Sequence, residues 1–119
     1  MIEIKMENPK ELAAPYGPYT HIARLKNHHE LVFVAGQLSV DKKGDIVGEN
    51  DFAQQCAQVY ENVGTALRGI GADYSNIVQF TTYLTSTKYI PLIYDWRKRE
   101  FPNMFPTGDY PPNTLLVIE

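Results

Sequence analysis

The sequence predicts one α+β domain over residues 1–119, with helices gathered on one face of a mixed β-sheet. A chain of 119 residues is long enough for one compact domain and too short for two. Its β-prone and amphipathic runs follow the order strand, strand, helix, strand, helix, strand. A short hairpin loop followed by longer crossovers indicates both antiparallel and parallel neighbours in the sheet.

The first third of the chain is predicted to supply the first two strands of this order and, before them, a short edge strand. Met1–Lys5 alternates apolar and charged residues, as a short edge strand does. Thr20–Lys26 and Leu31–Gln37 are rich in β-formers and are separated by a short polar loop, which predicts a hairpin. Leu38–Val40 can extend the second strand of that hairpin, and the charged Asp41–Asp45 segment with its glycine predicts a turn.

The first helix is predicted to begin at Asn50 or Asp51, because either side chain can cap a helix N-terminus. Gly69 and Gly71 end it. Its inward stripe has the three-and-four spacing of an amphipathic helix and comprises Phe52, Cys56, Val59, Val63, Leu67 and Ile70.

The second half of the chain predicts a strand, a helix and a strand. Asn76–Leu84 has many β-branched and aromatic residues and no breaker, so it is the expected central strand. Pro91 suits the first turn of a helix that ends at Phe101–Asn103. Thr114–Ile118 is a continuous apolar run, which is typical of a buried strand. In this second helix, helical spacing is kept by Ile90, Ile93, Tyr94, Arg97 and Phe101.

Composition excludes several functional classes. Lys and Arg number 11 against 14 Asp and Glu, and the resulting net charge of -3 argues against nucleic acid as the main ligand. No apolar run reaches the ~18–20 residues of a membrane span, so no membrane partner is predicted. The single cysteine, Cys56, cannot build a disulfide framework, which favours a cytoplasmic setting.

Neither a metal site nor a cofactor site is predicted. His28 and His29 adjoin at a loop tip, where solvated polar residues are common, and His21 lies apart from them on a strand. Cys56 falls on the apolar stripe of the first helix, so we interpret it as a core residue rather than a nucleophile. Glycine-rich phosphate-binding motifs are absent from the sequence.

Five short segments carry a family resemblance: Gly17–Tyr19, Phe33–Gln37, Gln58–Val63, Ile77–Leu84 and Pro111–Thr114. In their order and spacing they resemble the RidA family, also called YjgF/YER057c/UK114, from about Ala14 to Val117. The resemblance implies a chorismate-mutase-like α+β fold, a homotrimer, and clefts between subunits that bind small carboxylates. It further implies hydrolysis of enamines or imines to 2-oxo acids and ammonia, with an arginine that clamps the substrate carboxylate.

The resemblance also assigns candidate site residues, with departures from the family pattern. Tyr19 and Gly36 keep the family's tyrosine and cleft glycine. Where the family has a cleft serine, a clamp arginine and a cleft asparagine, this chain has Ala35, Asn113 and Tyr94. Asn113 carries no charge, so its grip on a carboxylate is expected to be weaker, and the chain is placed in an arginine-less divergent subgroup. The predicted substrate-binding set is Tyr19, Ala35, Gly36, Tyr94, Asn113 and Thr114.

The catalytic residues stay unassigned. In the family the glutamate that activates water lies on a final strand beyond the one that opens at Thr114, and this chain ends at Glu119. The resemblance therefore predicts a domain that lacks the final strand, and the glutamate's role is not transferred to Glu119.

Three functions are open at this point. The first is an enamine or imine deaminase with altered specificity, and the second is a non-catalytic trimeric ligand-binding or chaperone-like protein. The third, an endoribonuclease or translation inhibitor, is opposed by the charge balance and by the lack of a visible His/Lys acid–base pair.

Overall fold

The computed structural model describes residues 3–119 and divides the chain into two compact units. The strand unit comprises Met1–Leu31 together with Ile77–Glu119, and the helix unit comprises Val32–Asn76. Within residues 3–119, the strand unit contains four β-strands and one α-helix, and the helix unit contains the other α-helix.

The first two strands form an antiparallel pair in the strand unit. Strand β1, Glu3–Glu7, pairs with strand β2, Ile22–Lys26, and Ile4 lies opposite Leu25. Side chains along β2 alternate between exposed and half-buried, as expected for a sheet with one solvated face. The predicted N-terminal strand is confirmed for Glu3–Lys5, whereas Met1 and Ile2 lie outside the described residues.

The predicted hairpin between Thr20–Lys26 and Leu31–Gln37 is wrong. The ladder partner of β2 is β1, and residues 31–37 form no ladder with any described residue. The Phe33 side chain is 88% exposed. A continuous apolar run is stable as a strand only where both of its faces are covered. The β-propensity of residues 31–37 alone is therefore not enough to form a strand.

The expected turn at Asp41–Asp45 is confirmed. One carboxylate oxygen of Asp41 accepts hydrogen bonds from the backbone N–H groups of Lys43 and Asp45, at 2.9 and 3.0 Å. Gly44 has a φ of 86°, a backbone conformation that glycine adopts without strain. The turn ends in a single antiparallel bridge between Val40 and Ile46, so the predicted extension of a strand through Leu38–Val40 is wrong.

Helix α1 spans Phe52–Arg68 in the helix unit. The Asp51 carboxylate accepts a hydrogen bond from the Gln54 backbone at 3.0 Å, so Asp51 is the N-cap. Gly69 is the C-cap, as predicted. From the predicted stripe, the helix buries Cys56 and Leu67, whereas Ile70 lies beyond the helix end and is exposed.

Two residues that the predicted stripe omitted, Tyr60 and Gly64, are also buried in α1. The phenol of Tyr74 donates a hydrogen bond to the Tyr60 carbonyl at 2.7 Å. A Cβ atom added at Gly64 would lie 2.5 Å from the Tyr74 hydroxyl oxygen, closer than a carbon approaches in real structures. Gly64 therefore gives Tyr74 the space it needs to reach the helix backbone.

Asn62 explains why the Gln58–Val63 segment carries polar residues on a helix. Its amide nitrogen donates to the carbonyls of Leu38 and Val40, at 3.0 and 2.9 Å. Gln58 in turn donates to the side-chain oxygen of Asn62 at 2.8 Å, which fixes the orientation of that amide. The pair holds the backbone that precedes the Asp41–Asp45 turn.

The strand unit also contains a parallel strand pair joined through a helix. Strand β3, Phe80–Leu84, pairs in parallel with strand β4, Asn113–Val117, and helix α2, Ile90–Met104, forms the crossover. The predicted strand begins at Phe80 rather than at Asn76. The Phe80 N–H donates to the Pro112 carbonyl, and the adjoining prolines have no N–H with which to continue the ladder.

Aromatic side chains form the core of the strand unit. Phe101 of α2 is 2% exposed, and its ring centroid lies 5.2 Å from that of Phe105 and 6.0 Å from that of Phe80. Helix α2 continues past the predicted end to Met104, with Pro102 in its last turn. The Phe105 N–H donates to the Phe101 carbonyl at 2.7 Å, so packing and this hydrogen bond hold the last turn despite the proline.

Candidate functional site

A buried polar network joins β3, α2 and β4 within the strand unit. The Arg97 guanidinium Nη2 donates to the Thr82 hydroxyl at 2.6 Å and lies 3.3 Å from the Asn113 side-chain oxygen. The Thr82 hydroxyl donates to the same Asn113 oxygen at 2.8 Å. Arg97 is only 3% exposed, so this network lies inside the strand unit. We call these three residues the Arg97 network.

Strand register and helix periodicity bring the three side chains together. Phe80 lies opposite Asn113, and Thr82 shares a face with Phe80 because side chains two residues apart on a strand point the same way. Arg97 follows Ile93 by four residues on the inward stripe of α2, so it also points into the core. The Arg97 side chain packs on the Phe101 ring, with its guanidinium carbon 5.6 Å from the ring centroid.

The network fixes the orientation of the Asn113 amide. Its oxygen accepts from Arg97 and Thr82. An amide nitrogen in the same place would turn its N–H groups toward the guanidinium, which has only donors. The Nδ2 group of Asn113, with two N–H donors, consequently points away from Arg97. Asn113 therefore has two donors that the network does not use.

A cluster of aromatic residues lies next to this network. The Tyr16 ring centroid lies 5.8 Å from that of Tyr19 and 6.0 Å from that of Tyr94. The Tyr19 ring also meets the His21 ring edge-on, with centroids 5.8 Å apart. A Cβ atom added at Gly17 would lie 3.0 Å from the Tyr94 ring, so glycine at this position permits the close approach. We call Tyr16, Tyr19 and Tyr94 the tyrosine cluster.

Electrostatics connect the tyrosine cluster to the Arg97 network. Burial raises the pKa of Tyr94, and the neighbouring Tyr16 raises it further through its charge and a hydrogen bond. The Arg97 guanidinium, one helical turn away on α2, acts in the opposite direction on the pKa of Tyr94. Tyr94 therefore stays a neutral phenol near pH 7 and is close enough to Arg97 to sense its charge.

Four of the six predicted binding residues lie in the strand unit, and three of them belong to the tyrosine cluster or the Arg97 network. Tyr19 and Tyr94 belong to the tyrosine cluster, and Asn113 belongs to the Arg97 network. The exposed Thr114 follows Asn113 on β4 and so points to the opposite face of the strand. The remaining two, Ala35 and Gly36, are exposed residues of the helix unit.

Arg97 is the site residue that the sequence interpretation did not select. It stands in the basic run Arg97-Lys98-Arg99, which is typical of a solvated surface, and Lys98 and Arg99 are indeed exposed. The signal that could have identified it was its place on the inward stripe of α2. A charged residue on an apolar helix face is buried only with polar partners, here Thr82 and Asn113.

The described residues contain neither a cluster of metal-ligating side chains nor a helix able to span a membrane. In the stretch from residue 3 to residue 119, no group of three or more His, Cys, Asp or Glu side chains is placed to hold a metal ion. No helix in the same stretch is long and apolar enough to cross a membrane. Cys56 is buried in α1, as the core interpretation predicted.

Comparison with solved structures defines the fold class. A protein of the conserved Rid family from Yersinia pestis, described as of unknown function, matches with a TM-score of 0.83. The match covers 98% of this chain and 86% of that protein at 22% identity. The chain therefore has the chorismate-mutase-like α+β fold that the resemblance implied.

Sequence comparison defines the family. The family model described as Endoribonuclease L-PSP matches residues 10–116, and the chain accordingly belongs to this family, that of the RidA proteins. A RutC family protein from Pyrococcus abyssi is 33% identical over 70 residues, which are 59% of this chain and 53% of that protein. A 2-iminobutanoate/2-iminopropanoate deaminase from Bos taurus is 24% identical over 102 residues, covering 86% of this chain and 72% of the relative. The chain thus spans about half the length of the archaeal relative.

Proposed function

We propose that the protein binds small 2-imino or 2-oxo carboxylates and hydrolyses reactive enamines and imines to 2-oxo acids and ammonia. Its family membership and its similarity to a relative named as a 2-iminobutanoate/2-iminopropanoate deaminase support this proposal. The substrate class is a short-chain 2-imino acid, whose carboxylate and imine groups lie on adjacent carbons.

The observation that carries the proposal is that three predicted binding residues, far apart in sequence, join one continuous set of interactions. Tyr19 is linked to Tyr94 through the ring of Tyr16. Tyr94 lies one helical turn before Arg97 on α2, and Arg97 donates to Asn113. The set offers hydroxyl and amide donors within one unit, as a small ligand with two polar ends requires.

The proposed chemistry assigns binding roles to these groups. The Nδ2 donors of Asn113 hold the ligand carboxylate, and the Tyr94 phenol oxygen can accept a hydrogen bond from the N–H of the imine end. An enamine first takes a proton on carbon to become the imine. Water then adds to the imine carbon, and the C=N electron pair moves to nitrogen, which takes a proton. The carbinolamine hydroxyl then passes its proton to the amino nitrogen as the C–N bond breaks and the C=O bond forms, which releases ammonia and leaves the 2-oxo acid.

We also propose that the protein assembles as a homotrimer, as the resemblance implies. An exposed apolar surface on β3 and β4 supports assembly: the side chains of Tyr83, Leu116 and Ile118 are 59%, 45% and 45% exposed. Apolar surface of this kind is commonly covered in an assembly. Light scattering should give three times the 13.5 kDa chain mass, and a stable monomer would contradict the trimer.

The test of the function is a coupled assay that generates 2-aminoacrylate or 2-iminobutanoate in solution and follows release of the 2-oxo acid. We expect the wild type to accelerate release and Asn113→Ala to reduce that acceleration by at least tenfold. Asn103→Ala, which truncates an exposed asparagine of the same unit outside the predicted binding set, is the matched control and should retain the wild-type rate.

Two results separate the deaminase from a protein that only binds. If the wild type accelerates neither reaction but is stabilised against heat by 2-oxobutyrate, the hydrolase part of the proposal is wrong and the binding part stands. The exposed Ala35, which has no hydroxyl where the family has a cleft serine, is the observation that favours this second function. If there is neither acceleration nor stabilisation, both parts are wrong.

A further inference from the structure

We propose that Arg97 determines specificity by supplying, through Asn113, the positive charge that selects a carboxylate over a neutral ligand. This inference rests on the proposed function, because it takes Asn113 as the residue that contacts the ligand. Arg97 is then a positioning residue, which acts on the ligand through Asn113 without touching it.

The first step concerns where the charge lies. A guanidinium stays charged at physiological pH, so Arg97 carries its positive charge inside the strand unit. Its Nη2 atom lies 3.3 Å from the Asn113 oxygen, and the side chain is held by the Thr82 hydroxyl and by the Phe101 ring. The charge is therefore fixed directly behind the Asn113 amide.

The second step concerns the direction of the Asn113 dipole. The amide oxygen accepts hydrogen bonds from both Arg97 and Thr82, so the partly positive Nδ2 end points away from them. A hydrogen bond to a charged donor polarises the amide and strengthens its own N–H donors. The dipole and the guanidinium charge both attract an anion placed at Nδ2.

The third step concerns the magnitude of this attraction. A buried charge is poorly screened by salt and by water, because solvent does not reach it, and Arg97 is 3% exposed. An interior charge one side chain away from a ligand therefore retains an appreciable influence on an anion. We expect the protein to bind a carboxylate at least about tenfold more tightly than the matching neutral amide, which is ~1.4 kcal/mol.

The experiment compares two ligands of nearly the same shape, 2-oxobutyrate and 2-oxobutanamide, by calorimetric titration. The wild type should prefer the carboxylate at least tenfold. Arg97→Met should reduce that preference to within twofold, whereas Arg97→Lys, which keeps the charge, should retain part of it. Arg99→Met removes an exposed charge from the same helix and should leave the preference unchanged.

Each outcome supports or overturns the inference. If Arg97 has a merely structural role, Arg97→Met should lower the affinity for both ligands equally and leave the ratio of the two affinities unchanged. That result would overturn the inference. Because Arg97 is buried, the Arg97→Met variant can fail to fold. In that case the ratio of the two affinities in the wild type is the test, and equal affinities for the two ligands overturn the inference. If the wild type binds neither ligand, the proposed function is wrong as well.

Discussion

The guanidinium of Arg97 donates to the side-chain oxygen of Asn113 at 3.3 Å and so connects α2 to the first residue of β4. By resemblance, Asn113 stands where the family has its clamp arginine. The sequence therefore suggested a site without positive charge. The structure instead places the buried Arg97 guanidinium behind the Asn113 amide. A positive charge is therefore retained, separated from the proposed ligand position by the Asn113 side chain.

The Thr82 hydroxyl is expected to stabilise the fold because it connects Arg97 to Asn113. Thr82→Val removes one acceptor from a buried guanidinium and should lower the free energy of unfolding by ~1–3 kcal/mol. Thr82→Ser keeps the hydroxyl and should lose much less. Denaturant unfolding measures both variants, and a valine variant as stable as the wild type would show that the hydroxyl contributes nothing.

A second arginine at the clamp position should conflict with Arg97. Asn113→Arg places two guanidinium groups next to each other, so the melting temperature without ligand should fall. A bound anion relieves the repulsion, and 2-oxobutyrate should therefore bind more tightly and raise the melting temperature more than it does in the wild type. Asn103→Arg, at an exposed position of α2 outside the predicted binding set, is the control. Unchanged melting and unchanged affinity in Asn113→Arg would contradict the assigned position of Asn113.

The close approach of Tyr74 to Gly64 predicts a large effect of a small substitution. A methyl group at Gly64 would lie 2.5 Å from the Tyr74 hydroxyl, and the resulting strain should cost ~1–3 kcal/mol of stability. At Gly36 an added Cβ meets no atom within 4 Å, so Gly36→Ala should change stability by less than ~0.5 kcal/mol. Thermal unfolding of the two variants tests this contrast, and equal melting temperatures would count against the packing described for α1.

The raised pKa of Tyr94 predicts a stability change at alkaline pH. Burial and Tyr16 disfavour the phenolate, so the folded state holds this proton more tightly than the unfolded state does. The contribution of Tyr94 to stability is fully present below the pKa of tyrosine in the unfolded chain, about 10. It is lost as the pH rises through the higher pKa of the folded state. The melting temperature of Tyr94→Phe should therefore fall less steeply than that of the wild type between about pH 9.5 and 11.5, the range in which tyrosine titrates.

The control is the same comparison between about pH 6 and 8, where tyrosine does not titrate. In that range the melting temperatures of the wild type and Tyr94→Phe should differ by a constant amount. Profiles that stay parallel between about pH 9.5 and 11.5 as well would contradict the buried, hydrogen-bonded environment described for Tyr94.

Local sequence signals predicted the helices well. The Asp51 cap and Gly69 set the ends of α1 because capping depends on a few neighbouring residues. Strand β4 followed from an apolar run, and its start at Asn113 differs from the prediction by one residue. The strand predicted at residues 31–37 was wrong for a different reason. A strand requires a ladder partner, and the residues of the strand do not specify that partner.

The site was harder to predict because it depends on register. Tyr19 and Asn113 could be identified through the family resemblance, but their connection requires Arg97 to point inward. That orientation follows from the phase of α2, and the neighbouring Lys98 and Arg99 suggested a solvated surface instead. The partnership with Thr82 follows from the parallel register of β3 and β4, which sequence alone does not define.

The most direct test of the account is a double-mutant cycle on the affinity for 2-oxobutyrate, using the wild type, Arg97→Met, Asn113→Ala and the double variant. If Arg97 acts on the ligand through Asn113, either substitution should lower the affinity much less when the other is already present. The coupling energy between the two should then be at least ~1 kcal/mol. Effects that add within ~0.3–0.5 kcal/mol would mean that the two residues act independently, and would contradict the account.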